Sequence, residues 1–260
     1  MDKIVIIKEK IHSLDPRLKR HVYHDSRSRL FSFDTKGRSL TSVIHNRVIP
    51  ILDQGQVGSC TGNAGIGALG TEPLYRVGPS KYSLDQTGAL KLYSDAQVID
   101  GHGPYPPNDY GSYGLSIAKA LQNAGLISGY QHTFSLNNAL LALTAYPILV
   151  GINWYQGMFT PDPDGRVRIT GALAGGHEIV ARQIDAENSR VWFDNSWGPN
   201  WGVKGRFYLT FTDLGVLLNQ QGDVIVLLPK TGPIPTPVPT VNADATLAAA
   251  MKNWLKSKNL

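Results

Sequence analysis

The chain contains the stretch Gln54-Gly55-Gln56-Val57-Gly58-Ser59-Cys60, and Cys60 is the only cysteine among its 260 residues. Small residues follow this cysteine as far as Leu69, and three of them are glycines, Gly62, Gly65 and Gly67. If residues 61–69 form a helix, its neighbours can approach it closely and it is buried. A cysteine just before a helix also sits where the helix dipole stabilises a thiolate, which favours nucleophilic chemistry.

The composition is that of a globular protein without internal disulfides. With 42% hydrophobic residues, 260 residues can bury the core of one large domain or of two packed subdomains. A reducing compartment is natural for such a chain, although it is not required. The first apolar run has four residues, too few for a signal peptide, and no later run reaches the roughly 18 residues of a membrane span. We therefore expect a soluble, cytoplasmic protein without membrane contact.

The positive charge lies at the N-terminus. Residues 1–47 carry 11 Lys and Arg against 5 Asp and Glu, whereas residues 48–260 carry 14 against 15. The simplest interpretation of this basic arm, residues 1–45, is a solvated extension. It could instead contact nucleic acid, an anionic polymer, or an acidic patch on its own body or on a partner. The arm lacks the interleaved aromatic residues of a single-strand binder, which argues against nucleic acid.

The periodicity predicts an α+β protein with a mainly helical first half and an antiparallel β second half. Ser83 is the predicted N-cap of a helix over residues 83–99, and a loop rich in Gly, Pro and Tyr follows at 101–114. Two more helices are predicted at 116–124 and 136–144. Short β-rich runs predict strands at 148–152, 178–182, 190–193 and 205–209, with a turn at 162–165.

The C-terminal residues form a separate region in the sequence. Residues 231–242 are a Pro-rich linker, which favours extended, semi-rigid backbone. Residues 243–260 place four apolar side chains on one face of a short helix: Leu247, Met251, Trp254 and Leu255. This helix either docks on the body or tethers the protein to a partner or an assembly.

Two residues downstream of Cys60 complete a catalytic pattern. His177 opens an apolar strand directly after two glycines, although a lone His is more often structural. Asn195 begins Asn195-Ser196-Trp197-Gly198, and an amide can fix the ring of a His without adding charge; the alternative is a hairpin corner. Gln54 and the backbone N–H of Cys60 could together stabilise an oxyanion.

These blocks resemble those of the papain-like (C1-type) cysteine peptidases. The resemblance rests on residues 54–60, on Gly176-His177, and on the run from Asn195 through Trp201-Gly202 to Gly205, in that order along the chain. It covers roughly residues 45–228, so we expect a peptidase domain at 46–230. It implies a helical left half, a β-barrel-like right half and an active-site cleft between them.

The resemblance also implies roles for single residues. Cys60 would be the nucleophile, His177 the general base and acid, and Asn195 the residue that orients His177. Gln54 would line the oxyanion hole, and Trp197 would shield the bond between Asn195 and His177. The cleft would bind an extended peptide, without metal or organic cofactor, along walls formed by Tyr110, Gly111, Ser112, Gly175, Gly176 and Trp197.

The sequence departs from the family pattern at several points. Thr61 replaces an aromatic residue, and Glu178 replaces a small apolar one; strand alternation predicts that Glu178 points away from the cleft. The family's disulfides and its long inhibitory propeptide are missing. The enzyme is therefore either made active, or its arm occupies the cleft in a simpler way. The disulfide-free form is similar to papain-like proteins of bacteria and tailed phages, so the host cytoplasm or a virion is the expected location.

The sequence leaves three functions open. The first is a cysteine endopeptidase that hydrolyses polypeptides through a thioester on Cys60. The second is a peptidase of peptidoglycan cross-bridges in a phage lysis or entry system. The third is a catalytically silent virion or binding protein on the same scaffold.

Overall fold

The computed structural model describes residues 5–25, 33–76 and 80–230. Its helices are α1 Cys60–Leu69, α2 Gln86–Asp100, α3 Gly114–Asn123, α4 Leu136–Leu143 and α5 Phe211–Asn219. Its strands are β1 Ile6–Glu9, β2 Val22–Asp25, β3 Val43–Ile44, β4 Ile127–Thr133, β5 Ile148–Tyr155, β6 Leu173–Asp185, β7 Arg190–Asp194, β8 Arg206–Thr210 and β9 Asp223–Pro229.

The described residues form a helical half and a β half, as the α+β prediction requires. Helices α1, α2 and α3 pack together around one core cluster that includes Ile66, Leu92 and Ile117. The β half is an antiparallel sheet of order β4-β9-β5-β6-β7-β8, with β3 paired to β6, and α4 and α5 pack against it around a second cluster. The two halves meet where α1 contacts β6.

The glycines of α1 explain how this helix is buried on every side. All ten of its residues are buried. A Cβ on Gly62 would overlap the carbonyl oxygen of Ala89 in α2, and a Cβ on Gly65 would lie 2.7 Å from a methyl group of Leu92. The prediction of a buried helix with closely approaching neighbours is therefore confirmed.

We expect Gly62→Ala to lower the free energy of unfolding by about 1 to 3 kcal/mol, because the added methyl group must push α1 and α2 apart. Gly129→Ala is the matched control, since its Cβ would make only an ordinary 3.8 Å contact. Denaturant unfolding of both variants measures the difference. Equal effects of Gly62→Ala and Gly129→Ala would show that the contact between α1 and α2 can accommodate an added methyl group.

Some boundaries and elements differ from the prediction. The N-cap of α2 is Asp85, whose side chain accepts from the N–H of Gly88, while Ser83 donates to Asp85 at 2.6 Å instead of capping the helix. Strands β4 and β9 and helix α5 were not predicted. Strand β9 has no polar alternation because its first five residues are all buried, so the sequence pattern does not distinguish it from a buried helix segment.

The interpretation of the arm as a solvated extension is wrong for residues 11–25. Leu18, Arg20 and Val22 have no exposed surface, and β2 pairs antiparallel with β1. Lys19 and Arg20 form parallel bridges with Gly176 and Ser112 of the body. This part of the chain packs into the molecule. The predicted linker and the predicted C-terminal helix lie outside the described residues, and among the described helices none is both long and apolar enough to span a bilayer.

Candidate active site

Cys60 is the first residue of α1 and has no exposed surface. Backbone hydrogen bonds reach its sulfur from Glu178, Lys19 and Thr61. The sulfur therefore lies beside the residue that follows His177 on β6, and also beside a residue of the N-terminal arm. The contact between Cys60 and Glu178 joins the helical half to the β half at the predicted nucleophile.

His177 lies on β6 with its Nε2 2.7 Å from Oδ1 of Asn195, which follows β7 directly. The backbone N–H of Ser196 donates to the same Oδ1 at 2.8 Å, so this oxygen is held as an acceptor toward the ring. In the neutral ring, Nε2 then carries the proton and Nδ1 is the basic nitrogen. Among the described residues, Nδ1 of His177 has no hydrogen-bond partner.

Two tryptophans enclose the ring of His177. Trp197 stacks on it with ring centroids 5.0 Å apart, and Trp154 meets it edge-on at 4.9 Å. Both tryptophans are buried. They remove water from the bond between His177 and Asn195, and a hydrogen bond is electrostatically stronger in such a low-dielectric setting.

Gln54 is buried and held at both ends of its amide. Its Oε1 accepts from the hydroxyl of Ser196 at 2.6 Å, and its Nε2 donates to the carbonyl oxygens of Val57 at 2.7 Å and Arg17 at 3.1 Å. The Gln54 amide thus already binds a carbonyl group that enters the cleft from the arm. A preorganised N–H donor of this kind is what an oxyanion requires.

The two predicted cleft walls bind residues 17–21 of the arm, which we call the cleft segment. On one wall, the N–H of Ser112 donates to the carbonyl of Lys19 at 3.1 Å, and the N–H of His21 donates to the carbonyl of Ser112 at 3.0 Å. On the other wall, the N–H of Arg20 donates to the carbonyl of Gly176 at 3.0 Å. The cleft segment runs parallel to both walls.

The wall glycines are needed because the cleft segment lies so close. A Cβ on Gly111 would overlap the carbonyl oxygen of Lys19, and a Cβ on Gly176 would overlap that of Arg20. Gly175 likewise makes room for Leu18, since its Cβ would lie 2.7 Å from the Cβ of that residue. Tyr110, which is partly exposed, contributes its carbonyl oxygen to Nε2 of His21 at 2.8 Å.

Two side chains of the cleft segment are anchored by body residues that the sequence analysis missed. Nζ of Lys19 lies 2.8 Å from Oδ2 of Asp109, which also accepts from the N–H of Gly58 at 3.0 Å. Arg20 forms a buried ion pair with Asp223. The arm thus contacts acidic residues of its own body, which was one of the possibilities considered for it. No spacing in the sequence signals these pairs, because they join distant segments.

The occupied cleft holds the cysteine and histidine in their neutral forms. Burial raises the pKa of the Cys60 thiol to about 12, and burial lowers the pKa of His177 to about 4 although its ring donates a hydrogen bond to Asn195. Part of this burial comes from the cleft segment, since Lys19 touches the sulfur and the guanidinium of Arg17 lies 4.3 Å from the centre of the Trp197 ring. The thiolate form of Cys60 is stabilised only when water or the protonated ring of His177 replaces these arm residues beside the sulfur.

The prediction that Glu178 points away from the cleft is wrong. Its carboxylate is 1% exposed and lies 3.9 Å from Nε of Arg20, directly beneath the cleft segment. Alternation does turn Glu178 to the other face of β6 from His177, but that face is also buried here. Among the described residues, no group of three or more His, Cys, Asp and Glu side chains is arranged to hold a metal ion.

No family model and no curated protein matches the sequence, but solved structures match the fold. Xylellain, a cysteine protease from Xylella fastidiosa, is 18% identical with a TM-score of 0.66, over 87% of this chain and 99% of that one. A procathepsin B from Trypanosoma congolense is 11% identical with a TM-score of 0.59, over 83% and 88%. A digestive procathepsin L 3 from the larval midgut of Tenebrio molitor is 17% identical with a TM-score of 0.55, over 76% and 73%. The chain therefore has the fold of the papain-like cysteine proteases.

Proposed function

We propose that the protein is a cysteine endopeptidase that hydrolyses polypeptides through a thioester on Cys60. One observation carries the proposal. Asn195 holds Nε2 of His177, which leaves the basic Nδ1 without a partner among the described residues, while the sulfur of Cys60 lies against the N–H of the next residue, Glu178. A thiol, a base and a residue that orients the base are the parts that nucleophilic acyl transfer requires.

These positions support the following proposed reaction. Nδ1 of His177 takes the thiol proton, and the thiolate attacks the carbonyl carbon of the peptide bond. The amide of Gln54 and the backbone N–H of Cys60 stabilise the negative charge on the carbonyl oxygen. His177 then returns the proton to the leaving amine, and a water molecule, activated by the same ring, hydrolyses the thioester. Asn195 stays neutral, so it adds no charge to the pair formed by the Cys60 thiolate and the His177 imidazolium, whose charges already cancel.

In the described state the enzyme is latent. The cleft segment occupies both backbone-binding walls, and the backbone hydrogen bond that reaches the sulfur from it comes from the N–H of Lys19. An N–H group cannot be attacked by a thiolate, so the arm can occupy the cleft without being cleaved at this position. Activity then requires that the arm leaves the cleft.

Labelling by an epoxide or vinyl-sulfone thiol inhibitor tests the proposal. We expect modification at Cys60 once the cleft segment is displaced, and none in Cys60→Ala, which has no other cysteine to react. Folded protein with an open cleft that is neither labelled nor active would support a catalytically silent scaffold instead. Activity on purified cell wall but not on casein would indicate the peptidoglycan alternative, and the tethering role of the C-terminal helix stays a prediction.

We expect Gln54→Ala to lower kcat by about 10²- to 10³-fold, because one of the two proposed oxyanion donors is lost. Gln56→Ala is the matched control, since Gln56 lies in the same loop and is exposed. Steady-state kinetics on a fluorogenic peptide, in a form with an open cleft, measures both. A Gln54→Ala enzyme with unchanged kcat would remove Gln54 from the mechanism.

A further inference from the structure

A small cavity lies among α1, β6 and the end of β7. Asn63 of α1 and Asn195, which directly follows β7, both line it. The cavity measures about 10 Å³, which is about the volume that one water molecule requires. Asn63 is 2% exposed and Asn195 is 3% exposed, so bulk solvent does not hydrate either side-chain amide. Any hydrogen bonds that these amides make to water must therefore be made inside the cavity.

The orientation of each amide is fixed by its other contacts. Oδ1 of Asn195 accepts from the N–H of Ser196 at 2.8 Å and lies 2.7 Å from Nε2 of His177. Nδ2 of Asn63 donates to the carbonyl oxygen of Ser59 at 2.9 Å and to its hydroxyl at 3.0 Å. A backbone N–H can only donate and a backbone carbonyl can only accept, so neither amide can be turned round without losing its bonds. Nδ2 of Asn195 and Oδ1 of Asn63 are the atoms that remain.

These two remaining atoms are complementary but do not bond to each other. Nδ2 of Asn195 is a donor and Oδ1 of Asn63 is an acceptor, and both lack a hydrogen-bond partner among the described residues. A buried polar group without a partner costs free energy, so such groups are normally satisfied by protein or by ordered water. One water molecule that accepts from Nδ2 and donates to Oδ1 satisfies both amides.

The other polar side chains around the cavity are directed elsewhere. Arg47 pairs with Asp194 at 3.0 Å, and the hydroxyl of Ser196 donates to Oε1 of Gln54 at 2.6 Å. The carboxyl group of Glu178 approaches the N-terminus of α3, where a Cβ on the first residue would lie 2.6 Å from Oε1. The two amides are therefore the side-chain groups that a water molecule in the cavity would contact.

We propose that the cavity is a binding site for one water molecule that bridges Asn63 and Asn195, and that Asn63 is a positioning residue for the reaction. Asn63 is bound through Ser59 to the N-terminus of α1, which carries Cys60, and through the water to the amide that orients His177. Turning the Asn195 amide away from the ring would then break the bridge as well. The positioning role rests on the proposed peptidase function, whereas the water site does not.

A high-resolution crystal structure of the full-length protein tests the site without substrate or turnover. We expect one ordered water within about 2.7 to 3.2 Å of both Oδ1 of Asn63 and Nδ2 of Asn195. Asn63→Leu and Asn63→Ala should both lose this water, because neither side chain offers an acceptor. A dry cavity in the parent, a water that contacts only one amide, or a water that both variants retain would overturn the bridge.

Steady-state kinetics tests the positioning role. In full-length Lys19→Ala/Arg20→Ala, which removes both anchors of the cleft segment, we expect Asn63→Leu to lower kcat by about 5- to 100-fold with little change in KM, as for a buried donor left without its partner. Thr71→Val is the matched control, since it removes one buried hydrogen bond, to the carbonyl of Gly67, beyond the other end of α1. An equal loss of kcat in Thr71→Val would show that Asn63 acts only through the stability of the fold.

A double variant shows whether Asn63 acts through Asn195. Asn195→Ala alone should lower kcat in the same open-cleft form, and adding Asn63→Leu should lower it no further, because the amide that the water holds is already gone. Effects that multiply would overturn the positioning role.

The outcomes separate this inference from the proposed function. Hydrolysis with an unchanged kcat in Asn63→Leu would refute the positioning role and leave the peptidase intact. If the open-cleft parent hydrolyses no peptide, the peptidase and the positioning role fail together, and the crystal structure still decides whether the water site exists.

Discussion

Replacing Cys60 by alanine should abolish peptide hydrolysis, with kcat falling by roughly four to six orders of magnitude, as for other nucleophiles that act as a unit with their base. The chain contains no second thiol that could substitute for it. The proposed oxyanion donors would remain, so any residual rate reports their contribution alone. The assay uses the Lys19→Ala/Arg20→Ala form with and without Cys60→Ala, so that the cleft is open in both.

His177→Ala in the same background provides the matched comparison for Cys60→Ala. The thiol and the imidazole are proposed to act together, so the double variant should be about as slow as either single one. If the unfolding curves of the variants coincide with that of the parent, the loss of activity is due to the missing catalytic group and not to unfolding. Hydrolysis that survives Cys60→Ala would refute the thioester mechanism.

Opening the cleft should also have a large effect, in this case on the rate at which Cys60 is alkylated. We expect the alkylation rate at pH 7 to rise by at least about 100-fold in Lys19→Ala/Arg20→Ala, because each unit by which the pKa of the thiol falls raises the thiolate fraction about tenfold. In the latent state, burial raises the pKa of Cys60 to about 12. Loss of the two anchors to Asp109 and Asp223 exposes the sulfur to water and lets His177 take its proton.

The pH dependence of the alkylation rate should differ between the docked arm and the open cleft. While the arm is docked, the rate should climb with pH through neutrality and beyond, because the thiol ionises only near pH 12. In the open form it should level off at a much lower pH. Lys36→Ala is the control, since it removes a positive charge from an exposed position of the arm outside the cleft segment. Equal rates in the control and the test variant would contradict anchoring by Lys19 and Arg20.

The residues proposed as catalytic could be named from the sequence because each lies in a short block with its own local pattern. The structure brings Cys60 beside the residue next to His177, joins His177 to Asn195, and places the Gln54 amide in the cleft. Tyr110, Gly111 and Ser112 were predicted to line a wall of the cleft for a substrate, and in the structure all three contact the arm.

The path of the arm and the buried ion pair of Arg20 with Asp223 could not be predicted in the same way. Arg20 and Asp223 are 203 residues apart in sequence, and no local pattern links them. The positions of Glu178 and Asp223 beside Arg20 also depend on the register of β6 and β9 against β5, and β9 was not recognised as a strand. For Glu178, alternation gives the correct face of β6 but carries no information on what covers that face.

The absent side chain at Gly151 leaves room for the buried ion pair between Arg20 and Asp223. A Cβ there would overlap Nε of Arg20 and lie 2.6 Å from Oδ1 of Asp223, so any larger residue forces this buried ion pair to shift. A substitution at Gly151 would therefore disturb the buried ion pair and the docking of the arm together. We therefore expect natural variants of this protein to change residues 20, 151 and 223 together or not at all.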